Sequence, residues 1–138
     1  MKKFGVLIIV LVLSIGVAGT TKAQVHFQYS LETSQIVEQI QLKTCVLSPV
    51  VRSSDIQHIF LTVRDQNLDP IAGAASMLTV YFPDGDQSLL LPLTDENGVS
   101  RFELEVNNQP PGHRVILEFR VVYGEFQATT QDSFRIWW

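Results

Sequence analysis

Three oxygen-bearing side chains at alternate positions, Asp65, Asn67 and Asp69, form the clearest candidate for metal chemistry in this sequence. Carboxylate and amide oxygens with this spacing open a calcium-binding loop. The glycine and the distal bidentate glutamate of such a loop are missing here. In the alternative interpretation, the Asp and Asn side chains hydrogen-bond their own backbone and shape a turn. We therefore expect no cofactor and no metal, with structural calcium at these three residues as the weaker alternative.

The sequence lacks the motifs of the common catalytic sites. A serine hydrolase needs a serine, a histidine and an acid within hydrogen-bond reach, and Gly-x-Ser-x-Gly does not occur. The three histidines, His26, His58 and His113, are far apart, with no second ligand at zinc spacing. A glycine-rich phosphate loop is also absent from the sequence. We expect that this protein is not an enzyme.

The single cysteine, Cys45, has two interpretations. In an exported chain, an unpaired cysteine can form a disulfide with another molecule. The alternative is a small buried side chain on a strand, because free cysteine is among the most buried residue types. The context Gln41–Leu47 favours burial.

Aromatic residues are concentrated at the end of the chain, in Phe134-Arg-Ile-Trp-Trp138. Phe134, Ile136 and Trp138 would share one face of a strand, which favours a last strand packed into the core. Tryptophan is also enriched at interface hot spots. Trp137 and Trp138 are therefore the candidate contacts for a partner.

The first 23 residues have the three parts of a secretory signal peptide. Lys2 and Lys3 precede an apolar run over residues 5–18, and small residues lead to Ala23. The run is shorter than the ~20 residues that span a bilayer comfortably. We expect a signal-peptide helix at 1–23 that is cleaved, and a protein that is secreted or extracytoplasmic, in the periplasm or at the cell surface. The alternative is an uncleaved anchor, which would be the only contact with the membrane.

Removal of residues 1–23 changes the charge of the chain, because Lys2, Lys3 and Lys22 lie in that segment. Seven Lys and Arg then stand against all 14 Asp and Glu. An acidic surface repels phosphate backbones, so nucleic acid is excluded as the expected partner. The remaining 115 residues suit one domain.

From Ile56 onward, apolar and polar residues alternate in short runs, most clearly in Arg101–Val106. Such alternation predicts strands with one buried and one solvated face, which is typical of antiparallel sheets. Turn-forming residues separate the runs, as in Pro83-Asp-Gly85 and Asp95-Glu-Asn-Gly98. Seven strands are predicted, near residues 43–48, 56–65, 76–82, 87–93, 99–106, 114–123 and 126–136. The fold class is therefore all-β, a single immunoglobulin-like antiparallel β-sandwich over residues 43–138. Residues 24–42 are predicted to be an extended segment or edge strand.

The turns and strand ends show a family resemblance. Val-Arg-Asp65, a turn, Pro70-Ile-Ala-Gly-Ala and Tyr81-Phe-Pro-Asp-Gly85 resemble the bacterial Ig-like domains of the invasin and intimin type. The likeness continues through Leu93–Phe102 and Pro111–Val115 to Ser133–Ile136, and macroglobulin-type and carboxypeptidase-regulatory-like sandwiches are near relatives. The family usually has Gly where this chain has Leu68.

The resemblance implies a spacer, display scaffold or adhesive module on a cell surface. We therefore expect a non-catalytic binding or structural module of the adhesion type, with a protein or glycan partner at the cell envelope or outside. The alternative is an accessory carbohydrate-binding or regulatory subunit of an exported enzyme system. An aromatic strip on an outward face would favour that alternative, and its candidate residues are Phe60, Tyr81 and Tyr123.

Overall fold

The alternating runs form eight β-strands in a computed structural model, which describes residues 35–138. The strands are β1 Gln41–Val46, β2 Val50–Arg52, β3 Ile56–Arg64, β4 Ala75–Phe82, β5 Gly85–Leu90, β6 Val99–Glu105, β7 Arg114–Tyr123 and β8 Phe126–Trp137. The predicted signal peptide at 1–23 and residues 24–34 of the predicted extended segment lie outside the described residues. The described part of the chain contains no helix long and apolar enough to cross a bilayer.

The strands make two sheets, so the all-β prediction is confirmed. One sheet has three strands in the order β1-β3-β6, and the other has five in the order β2-β8-β7-β4-β5. All pairs are antiparallel except β2 with β8, where Val50 to Arg52 pair in parallel with Arg135 to Trp137. The prediction of purely antiparallel sheets is therefore wrong at β2.

Strand β2 was not among the predicted strands, because three residues after Ser48-Pro49 are too short to show an alternating pattern. The chain leaves the three-stranded sheet after β1 and joins the five-stranded sheet at β2. The buried Gln57 side chain supports this crossover, since its Oε1 accepts from the Ser48 N–H at 3.2 Å and its Nε2 donates to the Ser48 carbonyl. The Arg135 N–H then donates to the Pro49 carbonyl at 2.9 Å.

The core lies between the inner faces of the two sheets and follows the predicted alternation. On β7, Val115, Leu117, Phe119 and Val121 are fully buried, and β3 contributes its alternate residues, Ile59, Leu61 and Val63. Burial of each such side chain contributes roughly 1.5–3 kcal/mol to stability. The core fixes which side chains must face outward, because a shift of register by one residue would expose all of them.

The N-terminal part of the described chain packs against this core. Ile40 is buried, and β1 begins at Gln41, two residues before its predicted start. The predicted extended segment therefore contains the beginning of the first strand. The backbone and side chains of residues 35–41 also contact the loop between β3 and β4.

Candidate functional site

The loop after β3 holds the three residues predicted as weak calcium ligands. Asp65 is fully buried, whereas Asn67 and Asp69 are exposed. The Asp65 Oδ1 accepts hydrogen bonds from the N–H groups of Asn67 at 2.8 Å and Asp69 at 2.9 Å. Its Oδ2 accepts from Gln35 Nε2 at 2.7 Å. Both carboxylate oxygens are thus turned toward N–H donors, as in the alternative turn interpretation.

The hydrogen bonds hold the pKa of Asp65 below its ordinary value of 3.8. The side-chain amide of Gln35 is the largest cause, burial opposes it by favouring the neutral acid, and the N–H groups of Asp69 and Asn67 lower the pKa further. The carboxylate is therefore ionised and structural in role. Among residues 35–138, no three His, Cys, Asp or Glu side chains are grouped so that they could hold a metal ion.

Cys45 lies on β1 with an exposed side chain, so the expected burial is wrong. Its strand neighbours Thr44 and Val46 are partly buried, because alternate residues of β1 face the inside of the sandwich. Cys45 pairs across the sheet with Phe60. By alternation along β1, Cys45 shares the outward face with Gln41 and Lys43, and the expected burial rested instead on the general preference of free cysteine for the interior.

The C-terminal strand is both packed and exposed. Phe134 and Ile136 are buried, which confirms that the last strand contributes to the core. Trp138, which was expected to share their face, lies beyond the end of β8 and is 78% exposed. Trp137 points to the outer face and is 54% exposed. Two large aromatic side chains are therefore available at the end of the five-stranded sheet.

Three arginines accompany Trp137 on that outer face. Arg135 of β8 lies directly opposite Arg114 of β7 and Val50 of β2, and Arg52 lies opposite Trp137. All three arginine side chains are exposed. We call Arg52, Arg114, Arg135 and Trp137 the arginine corner. Within residues 35–138 the ion pairs are His58 with Glu103 and Arg101 with Asp95, so neither pair includes an arginine of the corner.

One acidic residue stands next to the arginine corner in the chain. Asp55 lies in the turn between β2 and β3, and its carboxylate accepts from the backbone N–H of Arg52 at 3.4 Å. In this turn, the Asp55 carboxylate is therefore engaged by a backbone N–H group. Of the seven Lys and Arg after residue 34, three nevertheless lie together at one end of the five-stranded sheet, on the neighbouring strands β2, β8 and β7. This concentration of positive charge is the strongest electrostatic feature of the outer face.

The rest of this outer face carries many polar side chains. By register, Thr79, Glu118, Gln131 and Thr129 point the same way as the arginines. Tyr81 of β4 points outward beside Ile116. The proposed aromatic strip is not formed, because Phe60 lies on the other sheet and Tyr123 packs against the core.

A second feature at the same end of the sheet is an acidic cleft of about 430 Å³. It lies between the β4–β5 turn and the segment after β6, and its lining includes Phe82, Asp84, Asp86, Glu105, Asn107 and Gln109. Gln109 is 7% exposed, and its Oε1 has no hydrogen-bond partner. Asn107 Nδ2 donates to Glu105 Oε2 at 2.9 Å. The carboxylates make this side of the sheet end negative.

Sequence reasoning selected the two tryptophans and missed the arginines. Arg52, Arg114 and Arg135 are separated by up to 83 positions and show no motif. Alternation alone placed Arg114 on the polar side of β7, but only the pairing of β2, β8 and β7 brings the three together. The sequence did not reveal the parallel pairing of β2 with β8, which brings Arg52 to this face.

No family model matches the sequence, and no curated protein matches it. A solved DUF4785 family protein from Legionella pneumophila is 16% identical, with a TM-score of 0.53 over 70% of this chain and 28% of its own length. The sporulation control protein Spo0M from Bacillus subtilis is 9% identical, with a TM-score of 0.48 over 73% of this chain and 50% of its own. This chain therefore spans half or less of each of these structures. The Legionella likeness supports the fold alone.

Proposed function

We propose that this chain is an exported, non-catalytic module with an Ig-like β-sandwich, which binds a protein or glycan partner outside the cytoplasm. Its contact surface is the outer face of the five-stranded sheet at Trp137 and Trp138. The observation that carries the proposal is the exposure of these two side chains: Trp137 is 54% exposed on β8, whose other face is buried, and Trp138 is 78% exposed just beyond the end of that strand. Large aromatic side chains left in water at a sheet surface are typical of contact sites.

The fold supports this proposal through its rigidity. Trp137 is anchored by the buried Ile136 before it and by the pairing of its strand with β2 on one side. Because the backbone that carries Trp137 is already fixed, a partner that packs on this residue needs to order only the side chain. Export is supported by the signal-peptide pattern of residues 1–23, which also accounts for the extracytoplasmic location in the proposal.

The experiment has two arms. Cell fractionation and N-terminal sequencing of the native protein should find it outside the cytoplasm, beginning at Gln24. Purified 24–138 should bind isolated cell envelopes, and Trp137→Ser should weaken this binding at least tenfold. Ile56→Ser is the matched control, because Ile56 is 48% exposed but lies on the three-stranded sheet. A cytoplasmic protein, or equal binding by the two variants, would contradict the proposal.

The second candidate is an accessory carbohydrate-binding subunit of an exported enzyme system. The specific observation in its favour is that Trp137 shares the outer face of the sheet with hydroxyl and amide side chains such as Ser133, four positions before it on β8. An exposed tryptophan ring can pack against the apolar face of a sugar ring. The second candidate predicts that a co-purified hydrolase or transferase requires this module for its activity on a polymeric substrate. The first candidate predicts no such requirement.

A further inference from the structure

We propose that the arginine corner binds the carboxylate or sulfate groups of an acidic polysaccharide. The inference rests on the proposed function and specifies the chemistry of the partner. Arg52, Arg114 and Arg135 would hold the anionic groups, and Trp137 would pack against a sugar ring between them. Guanidinium groups suit this role because their planar N–H donors match carboxylates and sulfates in two parallel hydrogen bonds.

The first argument is the lack of compensation for the positive charges. Arg114 and Arg135 face each other directly across two strands, and like charges in that position oppose sheet formation. The described part of the chain provides neither of them with an ion-paired carboxylate, although acids outnumber basic residues overall. An anionic ligand would relieve this repulsion, so the pair favours the bound state over the free one.

The second argument concerns the shape of the surface. The arginine corner lies on the outer face of the sheet, where the next outward side chains along β8 from Arg135 are Ser133 and then Gln131, whose Nε2 donates to Glu118 Oε2 at 3.1 Å. Hydroxyl and amide groups of this kind can exchange hydrogen bonds with sugar hydroxyls. Neighbouring strands are ~4.8 Å apart, and successive outward residues on one strand are ~6.6 Å apart. These distances allow one extended sugar chain to reach all three arginines.

The third argument separates a polysaccharide from an anionic membrane. Asp84 and Asp86 lie on the β4–β5 hairpin at the same end of the same sheet, next to the acidic cleft. A broad anionic surface would meet these carboxylates together with the arginines and would be repelled. A narrow chain that crosses only β2, β8 and β7 avoids them.

An acidic peptide is the remaining class of anionic partner. Extended peptides commonly bind by adding a strand to a sheet edge. The edge strand next to the arginine corner is β2, which has only three residues and therefore provides few backbone hydrogen bonds. The side chains of the arginine corner point out of the face and not along this edge, which favours a ligand that lies on the face.

The test is a set of calorimetric titrations of purified 24–138 at low salt. The probes are polygalacturonate, heparin, neutral dextran, poly-glutamate and vesicles that contain anionic lipid. We expect binding to polygalacturonate or heparin, no binding to dextran, and affinity that falls as salt is raised. Arg114→Thr with Arg135→Thr should weaken binding at least tenfold. Arg120→Thr with Arg101→Thr is the charge-matched control, because neither residue belongs to the corner.

Three results would overturn the inference. These are no binding to either acidic polysaccharide, equal loss in both double variants, and tighter binding to poly-glutamate or to the vesicles. The Arg114 and Arg135 double variant should unfold at least as high in temperature as the wild type, so a folding defect would not mimic the expected loss. If polysaccharides fail while envelopes still bind in a Trp137-dependent manner, the inference fails and the proposed function stands.

Discussion

Arg114 and Arg135 lie directly opposite each other on β7 and β8, with both side chains exposed on the outer face of the five-stranded sheet. Cross-strand pairs on one face are the unit of sheet stabilisation, and a like-charge pair in this position is destabilising. A neutral residue at either position would fold better. The Arg114–Arg135 pair therefore indicates that this part of the surface has a role other than stabilising the fold.

Arg135→Thr should raise the free energy of unfolding by about 0.2–1 kcal/mol, because it removes the repulsion and introduces a residue with high strand propensity. Urea denaturation measures the change. Arg120→Thr, on β7, is the control on the same sheet face, since Arg120 lies opposite Thr129 and Met77 and has no cationic neighbour across either pairing. An increase of the same size in the control would show that the effect comes from propensity alone.

Asp65 should make stability depend on pH in the acid range. Its pKa in the folded state is lowered from 3.8, so its contribution is fully present above pH ~4 and is lost as pH falls through 3.8 toward the folded pKa. Asp65→Asn should remove the part of the stability loss in acid that comes from protonation of Asp65. Thermal unfolding between pH 2 and 6 tests it, with Asp69→Asn as the exposed control that retains the wild-type slope. Identical acid profiles for wild type and Asp65→Asn would contradict the account of this loop.

Leu68 adopts φ +69°, which is a left-handed conformation that L side chains rarely take, and its side chain is 64% exposed. Left-handed backbone costs a non-glycine residue about 1–2 kcal/mol. Leu68→Gly should therefore stabilise the protein by about 0.5–1 kcal/mol, after allowance for the greater freedom of glycine in the unfolded chain. Asn108→Gly, at φ +55°, is the control with a smaller expected gain, because asparagine tolerates this region. A lower melting temperature for Leu68→Gly would show that the side chain has a packing role.

Gly98 combines φ +70° with a close approach to the backbone of β3 and of the loop that follows it. An added Cβ would lie 2.5 Å from the Val63 carbonyl oxygen and 3.0 Å from the Ile71 nitrogen. Gly98→Ala should destabilise the protein by about 3 kcal/mol, since both strain and a backbone clash are introduced. Gly124→Ala separates the two terms, because Gly124 has φ +58° and open space around its Cβ position. Equal losses in chemical denaturation would contradict the clash.

The alternation of apolar residues predicted most of the strands and the inner faces of β3 and β7. Leu61 and Phe119, for example, are fully buried as expected. The pattern failed where an element was too short to show a period. The three residues of β2 gave no signal, and the usual burial of free cysteine led to the wrong expectation for Cys45.

The candidate site could be predicted only in part for a related reason. Trp137 and Trp138 stand out by residue type, which is visible in any sequence. The arginine corner depends on strand order and register, because Arg52 reaches Trp137 only through a parallel pairing between distant segments. Long-range pairing of this kind is not encoded in local periodicity.

The most direct test of the arginine corner as the contact surface is an NMR titration of ¹⁵N-labelled 24–138 with polygalacturonate oligomers and, in parallel, with heparin oligomers. Perturbed amide signals should cluster at residues 50–52, 113–116 and 133–138, which surround the arginine corner. The signals of β1, β3 and β6 in the other sheet should stay unchanged. Perturbations confined to that three-stranded sheet or to the acidic cleft, or none with either oligomer at saturation, would contradict binding at the arginine corner.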